Sequence, residues 1–207
     1  MTESQAHGFT WENSILQTVF GIQPGTQIGG YTRKHDVPAD ENTLDKVNIS
    51  IKTSGSSSID MGDARRIFSA VSGETLRLVL VQYKQEGEEK VLQSVSEVDL
   101  MDSAHLLFNE ITLAEITALH EFLKSIPPGK ASPEIVAEYK RRSAELNKKS
   151  GILQFRPKVD SAKQRRLQCS IPFSKIPAEK IVYQNTQGIY KGHQIPLRIP
   201  SGRRVRH

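Results

Sequence analysis

The order of elements along these 207 residues predicts an α/β (α+β) domain. Three observations predict it: a strictly alternating run at 46–52, two apolar runs flanking a glycine-containing turn at 86–88, and two capped helical runs at 112–148.

Residues 10–20 place Trp11, Ile15, Leu16 and Val19 at helical spacing, and Gly21, Pro24 and Gly25 end that helix. In Lys46–Lys52, Val47, Ile49 and Ile51 share one face while Asn48, Ser50 and Lys52 share the other, which is the two-residue period of a strand. After the loop TSGSSS, residues 59–70 read as the approach to a helix and the helix itself. Residues 75–83 and 90–100 read as two strands joined across Glu86-Gly87-Glu88. Thr112 with Glu115 three residues on marks the start of a helix whose stripe is Ile116, Leu119 and Leu123. Ser132 followed by Pro133 opens another, reaching Lys148. From Gly151 the text returns to short strands and turns. The expected organisation is a core with flanking helices over 1–150 and a basic, β-rich C-terminal region of the same domain over 151–207.

Charge is distributed unevenly. The net charge of +5 combines +14 from Lys140 onward, where 17 Lys or Arg meet three acids, with −9 over residues 1–139. A basic segment on an acidic body suggests a polyanionic partner, because Lys and Arg displace the counterions condensed on phosphates. The acidic part must then keep carboxylates near a polyanion, a conflict that a divalent cation reconciles. The bland alternative is a solubilising charged tail. No run approaches the roughly 18–20 apolar residues of a membrane span. The first residues have neither a basic nor an apolar signal region, and Cys169 is the single cysteine. The expectation is a reduced, cytoplasmic compartment with no membrane partner. The six histidines form no zinc-type pair.

The constellation that carries chemistry is Ser50-Ile51-Lys52 at a strand end, with Asp36 and Asp40 upstream and Asp63 downstream. Side chains 50 and 52 point to one side of the strand. A lysine beside two carboxylates suits phosphodiester hydrolysis: the carboxylates hold Mg²⁺, which lowers the pKa of a water, and the ammonium favours the developing phosphorane charge. The upstream acid is left open. Asp45 is only five residues before Ser50, which leaves little room for a turn, and Asp36 is preferred to Asp40 because TRKHDV reads as a strand end and ADENTLD as the turn. The opposing readings are an ordinary half-buried strand with an exposed lysine, and, for Asp63, a helix N-terminal acid favoured by the macrodipole.

Over residues 10–85 this order resembles the PD-(D/E)XK nuclease superfamily, which includes most type II restriction endonucleases. The resemblance consists of a first helix carrying Glu12, an acid before a strand, the strand ending in Lys52, and a following helix and strand. It departs at Ser50, where an acid is usual; some members carry S-x-K there and take the missing carboxylate from the next helix, where Asp63 stands. The resemblance implies a restriction-endonuclease-like mixed central sheet flanked by helices and site-specific double-strand DNA cleavage with Mg²⁺. Asp36 or Asp40 would hold the metal together with Asp63, Lys52 would polarise the attacking water, Ser50 would hydrogen-bond in the vacated place, and Glu12 would assist a metal-bound water. A homodimer suits cutting of both strands of a palindrome. The alternatives are a structure-specific repair or recombination nuclease and a non-catalytic nucleic-acid-binding protein.

The basic region gathers Lys158, Lys163, Gln164, Arg165, Arg166 and Gln168. Arg reads guanine and Gln reads adenine in the major groove, whereas lysines more often meet phosphates. On a strand, 164, 166 and 168 form a Gln-Arg-Gln row; a solvated edge strand protected by charge is the competing reading. Arg203, Arg204 and Arg206 form a terminal arm compatible with ordering on double-stranded DNA.

Overall fold

Ile49 and Ile51 are buried while Asn48, Ser50 and Lys52 are half-buried, so the alternation in the sequence is realised as strand β1 (Asn48–Ser54). This is seen in a computed structural model that describes residues 9–23, 35–72, 76–127, 131–159 and 164–201. The chain is of mixed α+β class, and its contacts divide it into two units. The first takes Met1–Ser56, Thr75–Leu100 and Pro177–His207, the second Ser57–Glu74 and Met101–Ile176. The basic stretch 151–207 is therefore shared between them.

The first unit is built on a five-stranded mixed sheet. β1 pairs in parallel with β3 (Leu76–Glu86), which pairs antiparallel with β4 (Glu89–Asp99). The two-residue turn between β3 and β4 places Gly87 at φ +57°, a region that glycine enters without steric cost. The other edge of β4 is shared by β7 (Ile181–Asn185) and β10 (Arg198–Pro200). A small ribbon, β8 (Ile189–Tyr190) with β9 (His193–Gln194), lies between them in sequence. Helix α1 (Phe9–Phe20) lays Trp11, Ile15, Leu16, Val19 and Phe20 on a cluster with Ile49, Ile51, Val79, Val81 and Val95. Each such fully buried aliphatic side chain stabilises the fold by about 1.5–3 kcal/mol before the entropic cost of ordering it. Trp11 also donates from Nε1 to the Pro196 carbonyl at 2.8 Å, tying the helix to the C-terminal segment.

One end of this sheet carries an ionic network. Glu97, 2% exposed, accepts from Arg77 Nη1 at 2.9 Å and from the Tyr190 hydroxyl at 2.8 Å. Asp45 Oδ2 accepts from the same Arg77 nitrogen and from Lys191 Nζ, both at 2.8 Å. A carboxylate as buried as Glu97 persists because it is paired and fully hydrogen-bonded.

In the second unit an antiparallel three-stranded sheet has the order β2-β6-β5: β2 (Ser58–Asp63), β6 (Arg165–Pro172), β5 (Gln154–Val159). Residues 58–63 thus form a strand where the sequence suggested the approach to a helix. Ile59 and Met61 are buried and Asp60 is exposed, an alternation short enough to be missed, and the partner strand is about a hundred residues away. Helices α2 (Ala64–Val71), α4 (Leu113–Ser125) and α5 (Pro133–Lys149) contact this sheet, and the short α3 (Ala104–Phe108) contacts α2. The capping box of α4, Thr112 with Glu115, and the Ser132 cap of α5 form as their sequences predict. None of the described helices is long and apolar enough to cross a membrane.

Candidate functional site

The hairpin that builds the site begins at residue 35. Val37 forms an antiparallel bridge with Ile49: the amides of Asp36 and Val37 both donate to the Ile49 carbonyl at 3.0 Å, and Ile49 N donates to Val37 O at 2.7 Å. This register sets Asp36 across from Ser50. Its carboxylate Oδ2 accepts from the Ile51 amide at 2.6 Å and lies 3.6 Å from Lys52 Nζ. Lys52 in turn donates to the Ile51 carbonyl at 3.2 Å. The side chains of Lys52 and Asp36 are 25% and 26% exposed, open enough to meet a ligand and shielded enough that solvent screens them incompletely.

Glu12, on the first turn of α1, is the third member. Its carboxyl pKa is raised from 4.5 to about 7, chiefly by burial and then by the negative charge of Asp36, with the Lys52 ammonium partly offsetting both. Two carboxyls and an ammonium from a helix, a bridge segment and a strand thus share one electrostatic environment within the first unit.

The remaining acids named from the sequence have surroundings of their own. Asp40 is exposed in the turn that follows Pro38, where Glu41 and Asn42 donate to the Pro38 carbonyl. Asp45 is committed to Arg77, Lys191 and Asn42. Burial alone would raise its pKa, but the Lys191 ammonium, the Asn42 amide and Arg77 hold it below the usual carboxylate range. Asp63 belongs to the second unit, where its Oδ1 accepts from the amides of Arg65 and Arg66 as the N-cap of α2. Its Oδ2 faces His120 Nδ1 at 3.6 Å. Because Arg65 Nη2 donates to His120 Nε2 at 2.8 Å, the imidazole proton sits on Nδ1, toward Asp63. Burial and then the Arg65 charge keep this histidine's pKa low.

The basic residues divide similarly. β6 is the central strand of its sheet, not an edge. Gln168 is 6% exposed and reaches Asp60 Oδ2 at 3.5 Å, so the Gln-Arg-Gln row is open only at its other members. Arg165 donates to the Ile126 and Pro127 carbonyls, closing the C-terminal end of α4. Gln164 and Lys158 are exposed and Arg166 is half-buried. Lys163, Arg203, Arg204 and Arg206 lie outside the described residues.

Among the described residues no three His, Cys, Asp or Glu side chains converge as a metal cage. Glu12 and Asp36 offer two carboxylates in one electrostatic environment, with Asp36 across from the half-buried Ser50 in register. That donor set is adequate for Mg²⁺, which keeps several waters and is commonly bound through one or two carboxylates plus substrate phosphate. Three residues that hold these acids are not singled out by the sequence. Arg77 and Lys191, which fix Asp45, and His120, which faces Asp63, meet their partners only through long-range pairing. No protein-family model, no curated protein and no solved structure matches this chain.

Proposed function

We propose that this protein is a Mg²⁺-dependent endonuclease that hydrolyses phosphodiester bonds in double-stranded DNA at specific sites, built on a restriction-endonuclease-like core. The observation that carries the reading is Asp36 held 3.6 Å from Lys52 across an antiparallel bridge, with Glu12 close enough for both charges to move its pKa. Asp36 would hold Mg²⁺, which when bound would supply Lewis acidity beside Lys52. Lys52 places a fixed positive charge where a phosphorane would gain negative charge, and Asp36 holds that ammonium in position. Glu12, its pKa raised to about 7, can accept a proton from water and release it again near that pH. Ser50 presents its hydroxyl on the same side of β1 as Lys52. Cutting both strands calls for two copies of the chain related by a two-fold axis.

The test is incubation with plasmid DNA and Mg²⁺, wild type against Lys52→Ala. Discrete fragments from wild type and no cleavage by the folded variant, with DNA affinity retained, are expected. A smear, or cutting confined to branched substrates, would replace site specificity by a repair-type activity. Binding without any cutting would make this a nucleic-acid-binding protein, and undiminished cutting by Lys52→Ala would remove the lysine from the chemistry.

A further inference from the structure

The antiparallel register of β5 and β6 sets Lys158 opposite Arg166 and Arg156 opposite Gln168. By strand alternation Arg156, Lys158, Arg166 and Gln168 share one face of the sheet, while Phe155, Leu167 and Cys169, all buried, share the other. Three cations are therefore clustered on one face, with Lys158 and Arg166 directly opposed at a Cβ separation of about 4.5–5.5 Å and Arg156 within about 7–8 Å of Arg166 on the diagonal. Like charges placed this way repel and destabilise a sheet unless something neutralises them. Elsewhere in this unit the fold provides carboxylates for its cations: Arg65 meets Glu121, Arg141 and Arg142 meet Glu138, and Lys149 meets Glu115. Among the described residues no ion pair reaches Arg156, Lys158 or Arg166; Arg156 bonds only the neutral Gln154, and Arg166 Nε is buried without a hydrogen-bond partner. The acids set against this face in register, Asp63 opposite Gln168 and Asp60 opposite Ser170, are engaged by other groups: Asp63 by the Arg65 and Arg66 amides, Asp60 by Gln168 and the Gly62 amide.

The geometry points to this face as a clamp for the phosphate backbone of duplex DNA, with Arg156, Lys158 and Arg166 as its contacts. Charge complementarity selects the occupant: a line of phosphates supplies to adjacent cations the negative charge that the fold withholds. With Gln168 buried and Arg166 set in a cluster of cations, the face recognises backbone, not base edges. Arg156 is the member that the Gln-Arg-Gln reading left out. The inference shares with the nuclease reading only the choice of DNA as ligand.

The experiment is a binding titration of the full chain on two fluorescent duplexes of unrelated sequence, with Ca²⁺ in place of Mg²⁺, from about 50 to 200 mM salt, the range over which counterion release is read. Arg156→Ala with Lys158→Ala should weaken binding to both duplexes equally and lower the slope of log affinity against log salt by about two units, about one per contact. Arg166→Ala should lower it by about one unit, and Lys158→Arg should leave it unchanged. Lys84→Ala, removing an exposed lysine of the other unit, should also leave it unchanged. An unchanged slope in the double variant, a loss confined to one sequence, or binding to anionic phospholipid vesicles but not to duplex would overturn the clamp. If the slope falls as expected but Mg²⁺ never yields cleavage, the nuclease reading fails and the clamp stands; cleavage with an unchanged slope decides the reverse.

Discussion

Replacing Glu12 by Gln tests the electrostatics of the candidate site without relying on catalysis. The Glu12 carboxyl titrates near 4.5 in the unfolded chain and near 7 in the fold, chiefly because burial disfavours its charged form and secondarily because Asp36 stands nearby. Below pH 4.5 both states are protonated, and the interactions of the neutral carboxyl contribute fully. As pH rises from 4.5 to 7 the unfolded state releases its proton while the native state keeps it, so stability falls with pH; above 7 the loss is complete. A shift of this size corresponds to about 3 kcal/mol, and partial solvent access at the site reduces this to ~2 kcal/mol. Glu12→Gln keeps the neutral hydrogen-bonding character and cannot ionise. Thermal melts in metal-free buffer with chelator should show the variant gaining on wild type between pH 4.5 and 8, ending about 5 °C higher in Tm. At pH 4 the two should converge in this respect. Adding Mg²⁺ at pH 8 should stabilise wild type more than the variant, because a cation that binds only the native ionised site adds its binding free energy. Identical pH slopes for the two proteins would show that Glu12 is not held in the environment described, and the proton-accepting role would fall with it.

Two further outcomes follow from local geometry. Asp63→Ala should cost about 1 kcal/mol by removing the α2 N-cap and Asp63→Asn only a few tenths because asparagine caps equally well; cleavage by the two folded variants decides the metal-ligand role, undiminished cutting leaving Asp63 a helix cap alone and loss in Asp63→Asn making it a ligand. Gly151→Ala would bring a Cβ to 1.9 Å from the Leu106 carbonyl oxygen, which also accepts from Ile152 N, so the variant should be destabilised by about 2–3 kcal/mol in urea unfolding, and a midpoint equal to wild type would contradict the packing described.

Much of the site's skeleton is local and was legible. Lys52 could be placed on a half-buried strand because Val47, Ile49 and Ile51 alternate with polar residues, and period two has one structural meaning. Asp36 was favoured over Asp40 because a turn was readable at 38–45, and the bridge from Val37 to Ile49 puts Asp36, not Asp40, beside Lys52. The caps at Thr112 and Ser132 depend on hydrogen bonds within four residues and needed no tertiary information. The alternation Gln154-x-Arg156-x-Lys158 is visible in the sequence, but only the pairing of β5 with β6 sets these cations beside Arg166.

What the sequence by itself determined, then, is what short-range physics decides: helix caps, strand periodicity, glycine turns and the charge asymmetry between the acidic body and the basic end. Only the tertiary structure decided which charges are spent. Asp45 is consumed by Arg77 and Lys191, residues 32 and 146 positions away, and Gln168 is buried because β6 lies between β2 and β5 and not at the edge. Such choices depend on which distant strands pair, and pairing is settled by the burial of whole faces, a quantity that no local window contains.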